Sequence, residues 1–449
     1  MKILVLNGSP KGDMSVSYHH VLFLEKHYKS ITFEYIHIGK RIKTYHGDVL
    51  GDLIEKMSTV DCVMWVYPVY TFSIPYQMMV FMNRLQSHPK KSLLKDVYSV
   101  QLSTSKHFFD ITAYDYMKTQ LKDLEMIHIE GLMADMDEML KEIGRHKMIG
   151  FMDQVLYTIE HNLVYPNIKQ NVHELYHFRY SPVPEADKTP SKILVVYNGE
   201  AYSDTLKDMI LAFENLCSYE VHRLDISNIN IQGGCLGCLK CTFIGNCIYR
   251  DEFEETYQNK IMTADILVYA SDIKNHYLHE DFKLIDDRAF YNGHRVNVEN
   301  KATCYLMTGH YSHEHTLKHI IEARAHVGHM TLFEPVTNES GDVLNQIERL
   351  CDEVSYFMEK RPVPKTSFYG IGGMKVFRDL IYNMRSLMID DHDYYKANKL
   401  YDFPEKHYFK HFFIRLGIKH ISKPKRFKKY AHRMNEWVLL RYKKVVDDY

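Results

Sequence analysis

Four of the chain's eight cysteines, Cys235, Cys238, Cys241 and Cys247, fall within thirteen residues in the spacing C-x2-C-x2-C-x5-C. Thiolates at such intervals can wrap around one small inorganic core, and Gly234 and Gly237 let the backbone turn tightly enough to do so. Four soft sulfur ligands select an iron–sulfur cluster or zinc. Zinc usually draws its ligands from two separate knuckles, whereas three ligands in one loop with the fourth nearby is closer to the way a 4Fe–4S cube is held. The spacing departs from the bacterial ferredoxin run, which has three residues before its last cysteine and a proline after it. Thiol chemistry without a metal stays open as a third reading.

A second group of residues suits an anion. The apolar run Lys2–Leu6 ends at Asn7-Gly8-Ser9-Pro10-Lys11-Gly12, with Ser15 and Ser17 following and then a helical pattern through Val21, Leu24 and Tyr28. A strand, a Gly/Ser loop and a helix start bring backbone N–H groups, hydroxyls and the helix dipole together on a phosphate. No Gly-Lys-Ser/Thr closes the loop as in a Walker A motif, and G-x-G-x-x-G is absent. A serine-rich cap without a ligand is the plainer alternative.

The next strand signal, Asp61–Val66, runs into Tyr67 to Pro75, where Pro68, Val69, Tyr70, Thr71 and Phe72 form a loop suited to a flat ring or simply to packing. A third strand, Val97–Leu102, leads to Ser103, Thr104 and Ser105. Doubly wound α/β sheets bind ligands outside the carboxyl ends of their strands, where the strand order reverses, and three such loops fit that rule. His107, His276, His294 and His310 stand in or near such loops and read as surface or packing residues.

These elements occur twice. After a proline-bearing linker, Ser181–Ser191, Lys192–Val196 repeats Lys2–Leu6 at an offset of 190, and Thr263–Val268 repeats Thr59–Met64 at an offset of 204. Arg288, Thr308 and Thr316 answer Arg84, Thr104 and Thr112, again at 204. Constant offsets at several landmarks predict two homologous α/β halves. The cysteine stretch lies where the offset grows by 14 residues, so it reads as an insertion into a repeated module.

Both halves resemble the flavodoxin-like NAD(P)H-dependent FMN reductases, and the second resembles their iron–sulfur flavoprotein branch. The resemblance spans roughly residues 1–160 and 192–355. It implies two flavodoxin-like doubly wound parallel-sheet modules, 1–180 and 192–360, followed by a basic, mainly helical extension, 361–449. It also implies FMN, with the phosphate on Ser9, Lys11, Gly12, Ser15 and Ser17 and the ring beside Pro68, Val69, Tyr70, Thr71 and Phe72. Ser103, Thr104 and Ser105 would make the third contact, and a 4Fe–4S cluster would sit on Cys235, Cys238, Cys241 and Cys247. NAD(P)H would be the donor, with a small molecule or a protein as acceptor. The second half departs from the pattern. Its first loop carries Glu200 and Asp204, which would repel a phosphate, and its second loop lacks Pro-Val-Tyr. Flavin in the first half and cluster in the second is the expectation, within one chain or across a homodimer.

Composition narrows the class. No apolar run reaches membrane-span length, the start does not read as a secretory leader, and clustered rather than paired cysteines suit a reducing, cytoplasmic setting. Residues 361–449 hold 20 basic and 9 acidic side chains, a net of +11 against −12 for the rest. No nucleic-acid-binding module accompanies that charge. The expectation is a tail docked on the acidic body, with a helix over Met374–Met388 presenting Val376, Leu380, Met384 and Met388.

Overall fold

The computed structural model describes residues 1–164, 173–184, 187–293, 300–403 and 408–421. The first module alternates strand and helix: β1 (Lys2–Asn7), α1 (Val16–His27), β2 (Thr32–Ile36), α2 (Gly47–Met57), β3 (Cys62–Pro68), α3 (Tyr76–Ser87), β4 (Tyr98–Ser105), α4 (Asp110–Asp123), β5 (Ile127–Asp135) and α5 (Glu142–Glu160). Its sheet is wholly parallel, in the order β2-β1-β3-β4-β5. That order reverses between β1 and β3, so the loops after those two strands open into one crevice.

The second module follows the same plan: β6 (Thr189–Tyr197), α6 (Asp204–Leu216), β7 (Tyr219–Asp225), the short α7 (Cys241–Ile244) and α8 (Phe253–Thr256), β8 (Ile266–Asp272), α9 (Glu280–Arg288), β9 (Ala302–Thr308), α10 (His315–Val327), β10 (Thr331–Leu332), β11 (Val336–Thr337) and α11 (Val343–Lys360). Its order is β10-β9-β8-β6-β7, with β11 also on β9. Relative to their own first strands the two sheets share one topology. The sequence offsets reappear in the pairing register. Ile3 faces Cys62 and Ile193 faces Ile266, while Cys62 faces Tyr98 and Ile266 faces Ala302.

Strands buried on both faces are apolar throughout, and alternate residues feed different cores. Ile3 and Val5 face a core private to the first module, and Ile193 and Val195 one private to the second. Leu4, Leu6, Leu194 and Val196 face a shared core between the sheets, where Met78 and Phe81 of α3 meet Phe282 and Ile285 of α9.

Three local features differ from the sequence reading. β4 continues to Ser105, so Ser103, Thr104 and Ser105 project from a strand end rather than a loop. β6 begins at Thr189, taking in the end of the proline-bearing stretch. In the extension, α12 (Phe368–Asn383) stops before Met384 and buries Gly370, Gly373 and Ile381 rather than the Val376–Leu380–Met384 stripe. Small glycines decide that face. A Cβ on Gly373 would stand 2.6 Å from Val327 Cγ2, so the helix lies close against α10.

α13 (Ile389–Ala397) packs on α7, and the chain through Asn398 forms one compact unit, so this part of the extension is docked on the modules. A second unit begins at Lys399 and contains α14 (Tyr408–Ile421). Most of the basic cluster Lys419–Lys429 lies outside the described residues. Among the described residues no helix is long and apolar enough to cross a membrane.

Candidate functional site

The first-module cradle is built by Asn7, a fully buried amide at the end of β1. Its Oδ1 accepts from the Ser9 amide at 3.0 Å and its Nδ2 donates to the Gly12 carbonyl at 2.9 Å. Gly12 has φ +58°, a left-handed conformation that favours glycine, and the loop folds back there. Ser9 Oγ accepts from the Lys11 amide at 3.3 Å, and Ser15 caps α1 by accepting from the Tyr18 amide at 3.3 Å. Ser17, in the first turn of α1, shares a 2.6 Å hydrogen bond with Thr104, tying the cradle to β4. Ser9, Ser15, Ser17, Ser103 and Thr104 are all buried.

The ring-binding candidates lie beside it. Val69 donates to the Thr104 carbonyl at 3.1 Å, and Tyr70 and Ser73 close a tight turn with reciprocal bonds of 2.8 and 2.9 Å. Thr71 and Phe72 occupy the turn at φ +32° and +65°. Two hydroxyls beside these loops, Ser73 Oγ and Ser103 Oγ, are buried without a hydrogen-bond partner. A buried hydroxyl left unpaired costs free energy that a ligand atom can recover. The residues present therefore fit a ligand that brings hydrogen-bonding groups to these hydroxyls.

The cysteine loop closes over this same crevice. A Cβ on Gly237, at φ +60°, would fall 1.9 Å from the Tyr70 hydroxyl and 3.1 Å from Lys11 Cε. Gln77 of α3 donates to the Cys235 carbonyl at 3.2 Å. The loop between Cys235 and Cys238 thus rests on residues assigned to both the ring and the phosphate.

All four cysteines are free thiols, with Cys238 exposed and the other three half-buried. Burial pushes Cys235 up to about 12 and Cys241 up to about 11, and nearby cysteines add to both rises. The Gly237 amide opposes this at Cys235 by donating to its sulfur at 3.4 Å. Thiols that hinder one another's ionisation suit metal ions, which displace the protons. Among the described residues no three His, Cys, Asp or Glu side chains converge to hold a single metal ion. Four thiols are nevertheless the donor chemistry that iron–sulfur clusters take. α13 borders this loop, with Asp390 Oδ2 3.2 Å from where a Gly245 Cβ would stand.

The second-module cradle is occupied by the chain's own carboxylates. Asp272 accepts from the amide and hydroxyl of Ser203, each at 2.8 Å, and from the Thr308 hydroxyl. Asp225 accepts from the Gly199 amide at 2.8 Å, and its Oδ2 lies 2.1 Å from where a Gly199 Cβ would stand. Asp272 and Thr308 are the residues that answer Pro68 and Thr104 at the 204 offset. Ser203 caps α6 as Ser15 caps α1.

Two of the candidate histidines are paired with carboxylates. His107 pairs with Asp110 at 2.6 Å, and His276 bridges Asp123 at 2.6 Å and Glu314 at 2.9 Å. His294 lies outside the described residues. Sequence reasoning missed Asp272, Lys283, Asp287 and the Arg288–Asp251 pair around these loops. The 204 offset could have exposed Asp272, because it places a carboxylate opposite Pro68.

Residues 1–136 match the family described as NADPH-dependent FMN reductase. No curated protein matches the chain. Solved structures similar to part of it include FerB, the NAD(P)H:(acceptor) oxidoreductase flavoenzyme of Paracoccus denitrificans, at 17% identity over 35% of this chain and 97% of its own, with a TM-score of 0.28. The NAD(P)H:quinone oxidoreductase of Methanothermobacter marburgensis is 11% identical over 37% of this chain and 98% of its own, TM-score 0.29. The FMN-dependent NADH-azoreductase of Bacillus anthracis, in complex with FMN, is 13% identical over 36% and 97%, TM-score 0.27.

Proposed function

We propose that the chain is an NAD(P)H-dependent FMN oxidoreductase whose first module binds the flavin and whose second module carries a 4Fe–4S cluster. Bound FMN would supply hydride acceptance and single-electron donation, and the cluster would supply a one-electron site. Ser9, Lys11, Gly12, Ser15 and Ser17 would bind the phosphate, Lys11 adding the cation. Pro68, Val69, Tyr70, Thr71 and Phe72 would orient the ring, with Ser103, Thr104 and Ser105 along its edge. Cys235, Cys238, Cys241 and Cys247 would hold the cluster.

The observation that carries this reading is the seat of Gly237 against Tyr70 and Lys11. Two candidate cofactor sites from different modules share one wall, so a second copy of the chain is not required to bring them together. The electron acceptor is a small molecule or a protein, and the setting is cytoplasmic. The test is anaerobic purification followed by a visible spectrum, iron and sulfide analysis, and NAD(P)H oxidation with and without added acceptor.

A second reading, an electron carrier or sensor served by a reduced protein, draws support from crowding at the same crevice. Phe377 of α12 stacks on Phe108 at 4.1 Å just beyond β4. Under that reading flavin and iron are present and NAD(P)H is not oxidised.

A further inference from the structure

The last turn of α9 reaches out of its own module. Lys283 and Asp287, one helical turn apart, are ion-paired with both side chains fully buried. Lys283 Nζ also donates to the Tyr70 carbonyl at 2.6 Å and to the Thr71 carbonyl at 3.3 Å. Asp287 accepts from the Tyr76 amide at 2.8 Å, and the Thr71 hydroxyl donates to the Asp286 carbonyl at 3.3 Å. These bonds bracket the turn whose central residues, Thr71 and Phe72, have positive φ. Such a backbone persists only where its surroundings over-determine it. A buried ammonium also needs every acceptor it has, and here two of the three are main-chain oxygens of the other module.

The next residue faces the other way. Arg288 donates to the Gly233 carbonyl at 3.0 Å, just ahead of Cys235, and makes a two-pronged pair with Asp251, both bonds 2.8 Å. Its guanidinium lies over Tyr249 and Phe253 at 4.4 and 4.9 Å. One helix end therefore anchors the ring-binding turn of the first module and the base of the cysteine loop.

We infer that Lys283 and Asp287 are positioning residues for the Tyr70–Ser73 turn, supplied across the module boundary, and that Arg288 fixes that turn relative to the cysteine loop. The consequence for cofactor binding rests on the FMN reading; the clamp on the turn does not. The corresponding turn of the second module, Lys274–Tyr277, is gripped in return by the first, through Gln120 Nε2 on the Asn275 carbonyl at 2.6 Å.

The test uses the full chain carrying Lys283→Met with Asp287→Asn. This pair leaves no lone buried charge and keeps an acceptor for the Tyr76 amide. Hydrogen exchange without added FMN should accelerate about tenfold or more across residues 69–77 while β1 and β8 keep their protection. FMN titration should show a dissociation constant raised about tenfold or more, with Lys283→Arg recovering part of it. Unchanged exchange at the turn overturns the inference. So does loss of protection throughout both modules, which would make the pair a general support of the fold. A wild-type chain that takes up no FMN sinks the functional reading instead, and the exchange measurement still decides the clamp.

Discussion

The two modules place the same elements around a first-strand loop and put opposite chemistry into it. In each, a neutral amide holds the loop after the first strand, Asn7 accepting from the Ser9 amide and Asn198 from the Glu200 amide, and in the first the loop leads on to Gly12, Ser15 and Ser17. In the second, Asp225 and Asp272 take up the donors of Gly199, Ser203 and Thr308. A donor that already serves an internal carboxylate is not free for a phosphate, and the added negative charge repels one. One scaffold can thus keep its packing while its ligand site is filled from within, which leaves the second module free to carry another group on its inserted cysteine loop.

The comparison can be broken most completely at the cysteines. Cys238→Ser should remove nearly all iron and acid-labile sulfide while FMN binding persists, because the cradle's hydrogen bonds lie within the first module. Loss of flavin together with iron would show the two sites to be one cooperative unit.

Next in size is the double variant Ser9→Ala with Lys11→Ala. Each charge-assisted hydrogen bond contributes about 1.5–3 kcal/mol, so FMN affinity should fall at least a hundredfold. Titration by flavin fluorescence reads this, and near-normal affinity would move the phosphate elsewhere.

Pro68→Asp makes the first cradle copy the second. A carboxylate at the position answering Asp272 should weaken FMN binding by about 2–4 kcal/mol through like-charge repulsion in a partly buried site. Unaltered affinity would mean that the two crevices do not correspond. The converse change, Asp272→Asn, should cost about 1.5–3 kcal/mol of unfolding free energy, the range for hydrogen bonds to a charged group, with flavin content unchanged.

The smallest effect concerns the module contact. Burial opposes charge on His276, but hydrogen bonds to Asp123 and Glu314 outweigh it and hold its pKa up at about 10. A raised histidine stabilises fully below its unfolded value near 6.5, and that contribution is lost as pH rises through about 10. His276→Ala should therefore cost most at pH 6, about 1 kcal/mol given the exposed Asp123, and almost nothing above pH 10. Denaturant unfolding at the two pH values checks the sign.

Much of this was legible in the sequence because it is local or periodic. The offsets of 190 and 204 foretold the two registers, and the Gly/Ser loop foretold the cap at Ser15. Other features depend on what lies opposite in space. Lys283 and Asp287 sit four apart on a polar helix, a spacing that does not distinguish a buried pair from a solvated one, and both are buried at the module boundary. The cysteine spacing announced ligands without showing that Gly237 would rest on Tyr70 and Lys11. The end of α12 was misread because the apolar stripe Val376–Leu380–Met384 outweighed Gly370 and Gly373, whose small size lets the helix approach α10.

The division of labour is tested most directly by counting flavin. Apoprotein prepared anaerobically and titrated with FMN should saturate at a single equivalent per chain, and Ser9→Ala with Lys11→Ala should abolish that uptake at micromolar FMN while Glu200→Ala with Asp204→Ala leaves it intact. Saturation at two equivalents, or uptake that survives in the first variant and is lost in the second, would contradict the account.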